Sequence, residues 1–463
     1  MNLPNASAAT PRAAPRVIPR TAHSISRSHI SPNALRVLYR LRDAGFMAFL
    51  VGGCVRDLLL GLEPKDFDVA TDALPEQVRR LFRNSRLVGR RFRLAHVFFG
   101  RETLEVATFR ATSAPSQGDE PLPDTDPEDE VPELDEPQAE AEPPTRRPPS
   151  GAQGDPRSDA DPEEGDTAAL MFDASGRILR DNVYGTIDED VWRRDFTANA
   201  LYYNIADFSL WDYVDGAQDI SARRLKLIGD PETRFREDPV RMLRAARFEA
   251  KLGFQLDPAT AQPIGPLREL LSGVPPARLF DETLKLFLSG HGVRSFEVLR
   301  RRGLLAALLP SVDSYFVSHP GSLVEKLLLH GLKNTDERVI ADKPVTPTFL
   351  FALLLYGPIA GIIEATPPER WHELGTILEA CDRATREAQT RLAIPKRFAL
   401  GVREMFALQP RLEHPRGRRA LRGLEHPRFR AAYDLLLLRA EFGLAPAEMA
   451  QWWTRLQEVT VEE

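Results

Sequence analysis

A Gly-Gly pair, an arginine and two aspartates spaced two residues apart occur in the 24-residue segment FLVGGCVRDLLLGLEPKDFDVATD. Gly52 and Gly53 end an apolar run, and Arg56 follows in the first turn of an expected helix. Glycines at this place let backbone N–H groups approach an anion closely, and a helix N-terminus adds partial positive charge. The pattern favours a phosphate-binding turn, although it is also typical of a plain tight turn.

Asp66 and Asp68 are two residues apart in an expected strand, so both carboxylates should point to the same face. Two parallel carboxylates repel each other unless a cation lies between them, and Mg²⁺ prefers oxygen ligands of this kind. Glu105, in another strand-like segment, could supply a third oxygen. The alternatives are a solvated strand edge for the two aspartates and a surface strand residue for Glu105.

Taken together, these residues predict a triphosphate cradle beside a metal-binding pair of carboxylates. Such a site could assist the attack of a hydroxyl on the α-phosphate of a nucleotide. A bound metal would lower the pKa of the nucleophile and steady the leaving pyrophosphate.

A third pattern, EDPVRMLRAARF, predicts a helix with Asp238 as its N-cap and Pro239 at its first position. Asp238, Arg241, Arg244 and Arg247 recur every three residues, so they should lie along one side of it. Asp238 could accept a hydrogen bond from an exocyclic amine while Arg241 donates to the adjacent ring nitrogen, an edge that adenine and cytosine share. Arg244 and Arg247 would then bind phosphates. The alternative is a solvated, salt-bridged basic face.

Periodicity predicts a small α/β head followed by a long all-α region. We expect a flexible basic arm at residues 1–24, because this segment contains arginines and four prolines but no acid. The head should span 25–219, followed by a helical neck at 220–275 with the base-reading helix. A helical body and RNA-binding region should fill 276–463.

The net charge of −6 averages two different regions. Residues 114–168 contain 18 Asp and Glu against 3 Arg, a balance of −15 that leaves +9 for the rest. This proline-rich insertion in the head cannot bury enough apolar surface to order itself, so we expect it to be disordered. The basic remainder favours a polyanionic partner, and the insertion offers a docking segment for protein partners.

These motifs, together with RRDFTANALYY at Arg193 to Tyr203, resemble the class II nucleotidyltransferases, which include tRNA CCA-adding enzymes and bacterial poly(A) polymerases. The resemblance implies that Gly53 and Arg56 contact the triphosphate and that Asp66 and Asp68 hold Mg²⁺ or Mn²⁺. It also implies that Asp195 joins this acidic site and that Arg194 contacts the nucleotide. Without the resemblance, Asp195 could equally be paired with Arg193 or Arg194.

Other segments, including GVPPARLFDE, LAIPKRF and LEHPRFRAAYDLLLLRAE, resemble the poly(A) polymerase branch. The expected activity is template-independent addition of AMP from ATP to RNA 3′ ends, as in RNA turnover and mRNA processing. CCA addition to tRNA is the alternative, and a non-catalytic RNA-binding protein is a second one. Arginines in two basic stretches are candidates for RNA contacts, the alternative being solvated loops: Arg90, Arg91, Arg93, Arg418, Arg419 and Arg428.

Cellular location is suggested by the cysteines. Cys54 and Cys381 are far apart in the sequence, so no disulfide framework is expected and the protein should work in the reducing cytoplasm. The longest apolar run, at 349–363, is shorter than a membrane span and interrupted by glycine and proline, so no membrane association is expected.

Overall fold

The computed structural model describes residues 14–89, 93–100, 102–111, 171–172, 178–180, 184–415 and 423–458. The predicted disordered insertion at 114–168 lies outside these residues, as do Arg90, Arg91, Arg418 and Arg419. Two compact units divide the described chain. The first contains the residues up to 193 together with 202–213, and the second contains 194–201 and everything from 214 onward.

A mixed eight-stranded sheet forms the centre of the first unit, in the order β1-β10-β9-β2-β3-β6-β5-β4. The unit's strands and helices in chain order are β1 (Arg16–Ile18), α1 (Pro32–Asp43), β2 (Ala48–Val51), α2 (Gly53–Leu59), β3 (Asp68–Thr71), α3 (Pro75–Leu81), β4 (Ser85–Val88), β5 (Leu94–Phe99), β6 (Glu102–Thr108), β7 (Met171–Phe172), β8 (Ile178–Arg180), α4 (Ile187–Arg193), β9 (Leu201–Asn204) and β10 (Leu210–Asp212). Strands β3 and β6 are parallel, whereas β2 is antiparallel to both of its neighbours.

Local signals in the sequence explain how this unit begins. The Ser31 hydroxyl accepts a hydrogen bond from the Ala34 N–H at 3.0 Å and caps α1, while Gly45 follows the helix with a φ of 90°. Apolar residues then fill β2, all of which is buried. The arm expected at residues 1–24 differs from the structure, because Arg16–Ile18 form an edge strand paired with β10.

The second unit is helical apart from a short parallel strand pair. Its elements are α5 (Gly216–Ser221), β11 (Arg224–Leu225), α6 (Pro231–Glu237), α7 (Val240–Leu252), β12 (Gln255–Leu256), α8 (Pro258–Ala261), α9 (Ile264–Leu267), α10 (Pro276–Phe287), α11 (Gly292–Arg301), α12 (Leu304–Leu308), α13 (Pro310–Ser318), α14 (Leu323–Ile340), α15 (Pro347–Leu354), α16 (Tyr356–Glu364), α17 (Leu374–Gln389), α18 (Lys396–Glu413), α19 (Phe429–Glu441) and α20 (Ala447–Glu458). This architecture agrees with the predicted all-α region.

Aromatic side chains tie distant helices of the second unit together. Phe280 of α10 stacks against Phe351 of α15 at 5.9 Å and against Phe398 of α18 at 6.3 Å between ring centroids. Trp453 of α20 is buried and donates its indole N–H to the Leu412 carbonyl at 2.8 Å.

In the part of the chain that the structure describes, no single helix is long and apolar enough to cross a membrane, and α15 with α16 meets that test only as a pair bent by 43°.

Candidate active site

Asp68 opens β3 and is nearly buried, with 8% of its surface exposed. The prediction that Asp66 shares this strand is wrong, because the strand begins at Asp68 and Asp66 lies, exposed, in the connection before it. Strand alternation therefore fixes the face of Asp68 but not that of Asp66. Asp68 pairs in register with Val51, the last residue of β2, so it lies beside the point where the chain enters Gly52 and Gly53.

Glu105 of β6 is the register partner of Asp68 on the other side, which places both on the same face of the sheet. Its carboxylate Oε1 lies 3.0 Å from Nε2 of His96 on β5. Among the described residues, no group of three or more His, Cys, Asp and Glu side chains is arranged to hold a metal ion. Glu105 adjoins Asp68 and is paired with His96, and its role as a third metal ligand stays a prediction.

The turn from β2 into α2 has the backbone that the Gly-Gly pair predicts. Gly52 adopts a φ of 76° and a ψ of −143°, a combination open essentially to glycine, and α2 begins at Gly53. Arg56 is fully buried, and its Nη2 lies 2.8 Å from Oδ1 of Asp57. The arginine is therefore buried in the first unit, and its contact with a triphosphate stays a prediction.

Helix α4, which leads into the RRDFTAN motif, is anchored by Asp190. Tyr202 donates its hydroxyl to Asp190 Oδ2 at 2.6 Å, and Arg193 Nε donates to Oδ1 at 3.0 Å. Burial raises the pKa of Tyr213, and a hydrogen bond with Asp188 on the same helix raises it further. Arg193 thus pairs with Asp190, and not with Asp195 as one alternative proposed.

In the second unit, Asp195 forms a buried ion pair with Arg244 of α7. Arg244 Nη2 lies 2.7 Å and Nε 2.8 Å from Asp195 Oδ2, and Oδ1 accepts the Phe196 N–H at 2.6 Å. Arg194 is half-buried and directs Nη1 to the Asn199 carbonyl at 3.4 Å. The structure therefore brings Asp195 and Arg244 together, two predicted site residues from different motifs.

The four residues predicted to share one side of the base-reading helix are all buried, with exposures of 3% to 9%. This contradicts the alternative of a solvated basic face. Helix α7 begins at Val240, one residue after the predicted Pro239. The N-cap position is therefore Pro239 and not Asp238, although Asp238 Oδ1 accepts the Val240 N–H at 3.2 Å.

Both members of the predicted base-reading pair are held by neighbouring side chains. Asp238 Oδ2 accepts a hydrogen bond from Nη2 of Arg278 on α10 at 3.0 Å. Arg241 Nη1 donates to the Arg234 carbonyl at 3.0 Å and lies 3.2 Å from Glu237 Oε2. These contacts restrict each side chain to one orientation of its polar atoms.

Arg247 pairs with Glu282 of α10, with Nε 2.7 Å from Oε1 and both side chains buried. Arg244 and Arg247, predicted to bind phosphates, are thus neutralised by buried carboxylates. Arg278 and Glu282 were not predicted as site residues. They lie one helical turn apart in GVPPARLFDE, a spacing that could have indicated two side chains facing one neighbour.

The described candidates for RNA contacts are both engaged by acids. Arg93 Nη1 lies 2.6 Å from Glu76 Oε1, and Arg428 Nε lies 3.6 Å from Glu404 Oε2. All four side chains are partly exposed, so these ion pairs are open to competition by phosphate.

Three family profiles match the chain. They are the poly A polymerase head domain at residues 48–226, the "probable RNA and SrmB-binding site of polymerase A" at 253–316, and the polymerase A arginine-rich C-terminus at 369–463. Poly(A) polymerase I of Salmonella typhi is 44% identical over 446 residues, covering 95% of this chain and 85% of the relative. The Haemophilus influenzae protein of the same name is 42% identical, with 95% and 88% covered.

The chain belongs to the poly(A) polymerase family. More distant is the CCA-adding enzyme of Lactobacillus helveticus, 32% identical over 57% of this chain. Solved structures share the fold, among them a tRNA-processing enzyme with a TM-score of 0.55 and 19% identity, covering 92% of both chains. Another is the Thermotoga maritima CCA-adding enzyme complexed with tRNA, with a TM-score of 0.52 and 16% identity, covering 92% of this chain and 82% of the other.

Family membership confirms the predicted fold class, a nucleotidyltransferase head followed by an all-α region. It also confirms that the chain is an enzyme, a polynucleotide adenylyltransferase, and that poly(A) synthesis was the correct choice over CCA addition. The alternative of a non-catalytic RNA-binding protein is thereby excluded.

Proposed function

We propose that this chain transfers AMP from ATP to the 3′ hydroxyl of RNA through a Mg²⁺ site built on Asp66 and Asp68, with release of pyrophosphate. The observation that supports this most strongly is the register of β2 and β3. It puts the Asp68 carboxylate next to the strand end from which Gly52 and Gly53 continue. The glycine turn, which we propose binds phosphate, and the Asp68 carboxylate thus lie at the same edge of adjacent strands.

The donor set fits a divalent ion with oxygen ligands. Mg²⁺ is commonly bound by one or two carboxylates together with substrate phosphates and water, so two aspartates suffice without a third protein ligand. When bound, the ion would lower the pKa of the attacking hydroxyl and neutralise charge on the departing pyrophosphate. Mn²⁺ has the same ligand preference and could substitute.

The remaining residues position the nucleotide. The backbone N–H groups at Gly52 and Gly53 would face the triphosphate, with the buried charge of Arg56 behind them. Asp238 would accept the exocyclic amine of adenine, and Arg241 would donate to the adjacent ring nitrogen. Because Arg278 and Glu237 hold these two side chains, base selection would come from a preset edge rather than from a template.

Nucleotide selection gives the test. We would incubate labelled RNA of generic sequence with each of the four nucleoside triphosphates, and tRNA lacking CCA with CTP and ATP. Long A tracts on generic RNA with ATP alone are expected, and Asp238→Ala should weaken that preference while the exposed control Glu232→Ala leaves it intact. Three-nucleotide additions that stop on tRNA would contradict the proposal, as would an Asp238→Ala variant with unchanged selectivity.

We further propose that the enzyme acts in the cytoplasm and that its insertion modulates RNA binding. Cys54 and Cys381 are both buried thiols, which suits a reducing compartment. The −15 balance of residues 114–168 would compete with RNA phosphates for basic surface, and it could also dock basic protein partners. Deleting the segment should tighten RNA binding at low salt but not at high salt, whereas unchanged affinity at low salt would reject the competition.

A further inference from the structure

Positive charge that the proposed reaction does not use is concentrated at the beginning of the first unit. The first 42 residues contain seven arginines and no Asp or Glu. Arg27, Arg36, Arg40 and Arg42 are exposed. Within the described part of the chain, these four form one ion pair with an acid, that of Arg42 with Asp43 at 2.6 Å. The segment therefore keeps an uncompensated positive surface.

Each of these four arginines lies over an aromatic ring. The distances from guanidinium carbon to ring centroid are 4.6 Å for Arg27 over Phe208, 5.7 Å for Arg36 over Phe99, 5.3 Å for Arg40 over Phe82 and 4.7 Å for Arg42 over Tyr39. Arg27 Nη1 also donates to the Tyr39 hydroxyl at 3.0 Å. We call the four arginines with Tyr39 the arginine–aromatic surface. Stacking restrains the guanidinium planes and leaves their edges available for hydrogen bonds to anions.

This surface lies across the sheet from Asp68. Val51 is the register partner of both Asp68 on β3 and Tyr202 on β9, so the three side chains point to the same face of the sheet. Adjacent residues of a strand point to opposite faces. Tyr203 must then point to the other face, where its ring lies 5.9 Å from that of His23. Arg27 and Tyr39 act electrostatically on the Tyr203 hydroxyl, whose pKa is raised chiefly by burial. The two sites thus occupy opposite faces of the head.

We propose that the arginine–aromatic surface binds the phosphodiester backbone of single-stranded RNA upstream of the reacting 3′ end. A planar guanidinium matches a phosphate in a bidentate manner, and arginines interleaved with aromatic rings suit flexible single strands. The proposal rests on RNA being the substrate, and it adds a contact outside the segment matched by the head-domain profile, which begins at residue 48. Only RNA long enough to pass around the head can reach it.

RNA length separates this contact from the active site. We would measure affinity and AMP incorporation for oligoadenylates of about 6 and about 24 nucleotides, the first within the span of one ordinary single-strand site. In the full chain, R27Q/R36Q/R40Q should bind the long RNA about tenfold more weakly at low salt. The slope of log affinity against log salt should fall by about 2, near 0.7 for each phosphate contact. Extension of the short RNA should be unchanged, which also shows that the head is folded.

Two comparison variants complete the experiment. R27K/R36K/R40K keeps the charge and should retain most of the salt slope. K326Q/K333Q/K343Q removes three exposed charges from the second unit and should leave the length dependence intact. Equal loss for short and long RNA, or no loss at all, would overturn the proposal without touching the proposed reaction. The proposal would also be overturned if R27Q/R36Q/R40Q bound anionic phospholipid vesicles more weakly than the unsubstituted chain does but bound long RNA equally well. The surface would then recognise a membrane.

Discussion

The buried pair of Arg247 and Glu282 gives a quantitative prediction about what stabilises α7 against α10. Both side chains are almost fully buried, and one hydrogen bond of 2.7 Å joins them. Changing Glu282 to Gln keeps the shape of the side chain and removes its charge, so Arg247 loses this buried ion pair. Breaking such a pair costs about 3–5 kcal/mol, and because glutamine can still accept a hydrogen bond we expect about 3 kcal/mol.

An exposed pair in the same unit is the matched control. Arg236 and Glu232 lie 2.7 Å apart on α6 with side chains 56% and 59% exposed, and pairs of this kind contribute about 0–1 kcal/mol. Glu232→Gln should therefore change the free energy of unfolding by less than about 1 kcal/mol. The double variant R247M/E282L removes both charges and should recover much of the loss, because apolar replacements of whole buried pairs are often neutral.

The assay is equilibrium unfolding in urea followed by far-UV circular dichroism. Amide hydrogen exchange in peptides from α7 and α10 identifies the unit that has lost stability. A Glu282→Gln variant that is no less stable than Glu232→Gln would refute the reasoning. So would a double variant as unstable as the single one, because the cost would then come from packing rather than from an uncompensated charge.

The remaining predictions concern backbone packing, thiols and pH. Gly216→Ala should lower the urea midpoint strongly, because an added Cβ would lie 2.2 Å from the Thr197 carbonyl oxygen, whereas Gly375→Ala meets nothing within 4 Å and should be tolerated. Cys381, whose pKa burial raises to about 12, should resist iodoacetamide in the native protein at pH 8 and react only on unfolding; rapid labelling would contradict this. Burial lowers the pKa of His23, so the unfolded chain binds its proton first and stability should fall as pH drops below about 6.5. His23→Gln should make the free energy of unfolding less dependent on pH in this range. A pH dependence unchanged from that of the wild type would contradict this prediction.

Local signals were sufficient for the elements that begin the head. Ser31 precedes a run of residues with helical apolar periodicity and a glycine follows it, so both ends of α1 could be predicted. The strand-to-helix turn at Gly52 could be predicted because few residues other than glycine adopt its backbone angles. Asp66 shows the limit of this reasoning. Alternation is informative only inside a strand, and the strand's first residue depends on pairing with β2 and β6, which the sequence does not specify.

The ion-pair partners of α7, which are distant in the chain, could not be predicted from the sequence. Regular spacing identified the arginines of α7, but Asp195 precedes Arg244 by 49 residues and Glu282 follows Arg247 by 35. Charged residues at helical spacing are usually solvated, so only tertiary packing reveals that these are buried and neutralised. The sequence therefore indicated which arginines share one side of the helix and left open which side chains pair with them.

The central claim is that the carboxylate at the start of β3 supports AMP transfer. Asp68→Asn is the most direct test, measured as single-turnover incorporation of labelled AMP into RNA at saturating ATP across a Mg²⁺ titration. RNA affinity and the unfolding midpoint are measured in parallel. The account predicts a loss of at least about a thousandfold in rate with RNA binding intact, as expected when a group that stabilises transition-state charge is removed. A variant that still incorporates AMP within tenfold of the wild-type rate would contradict it.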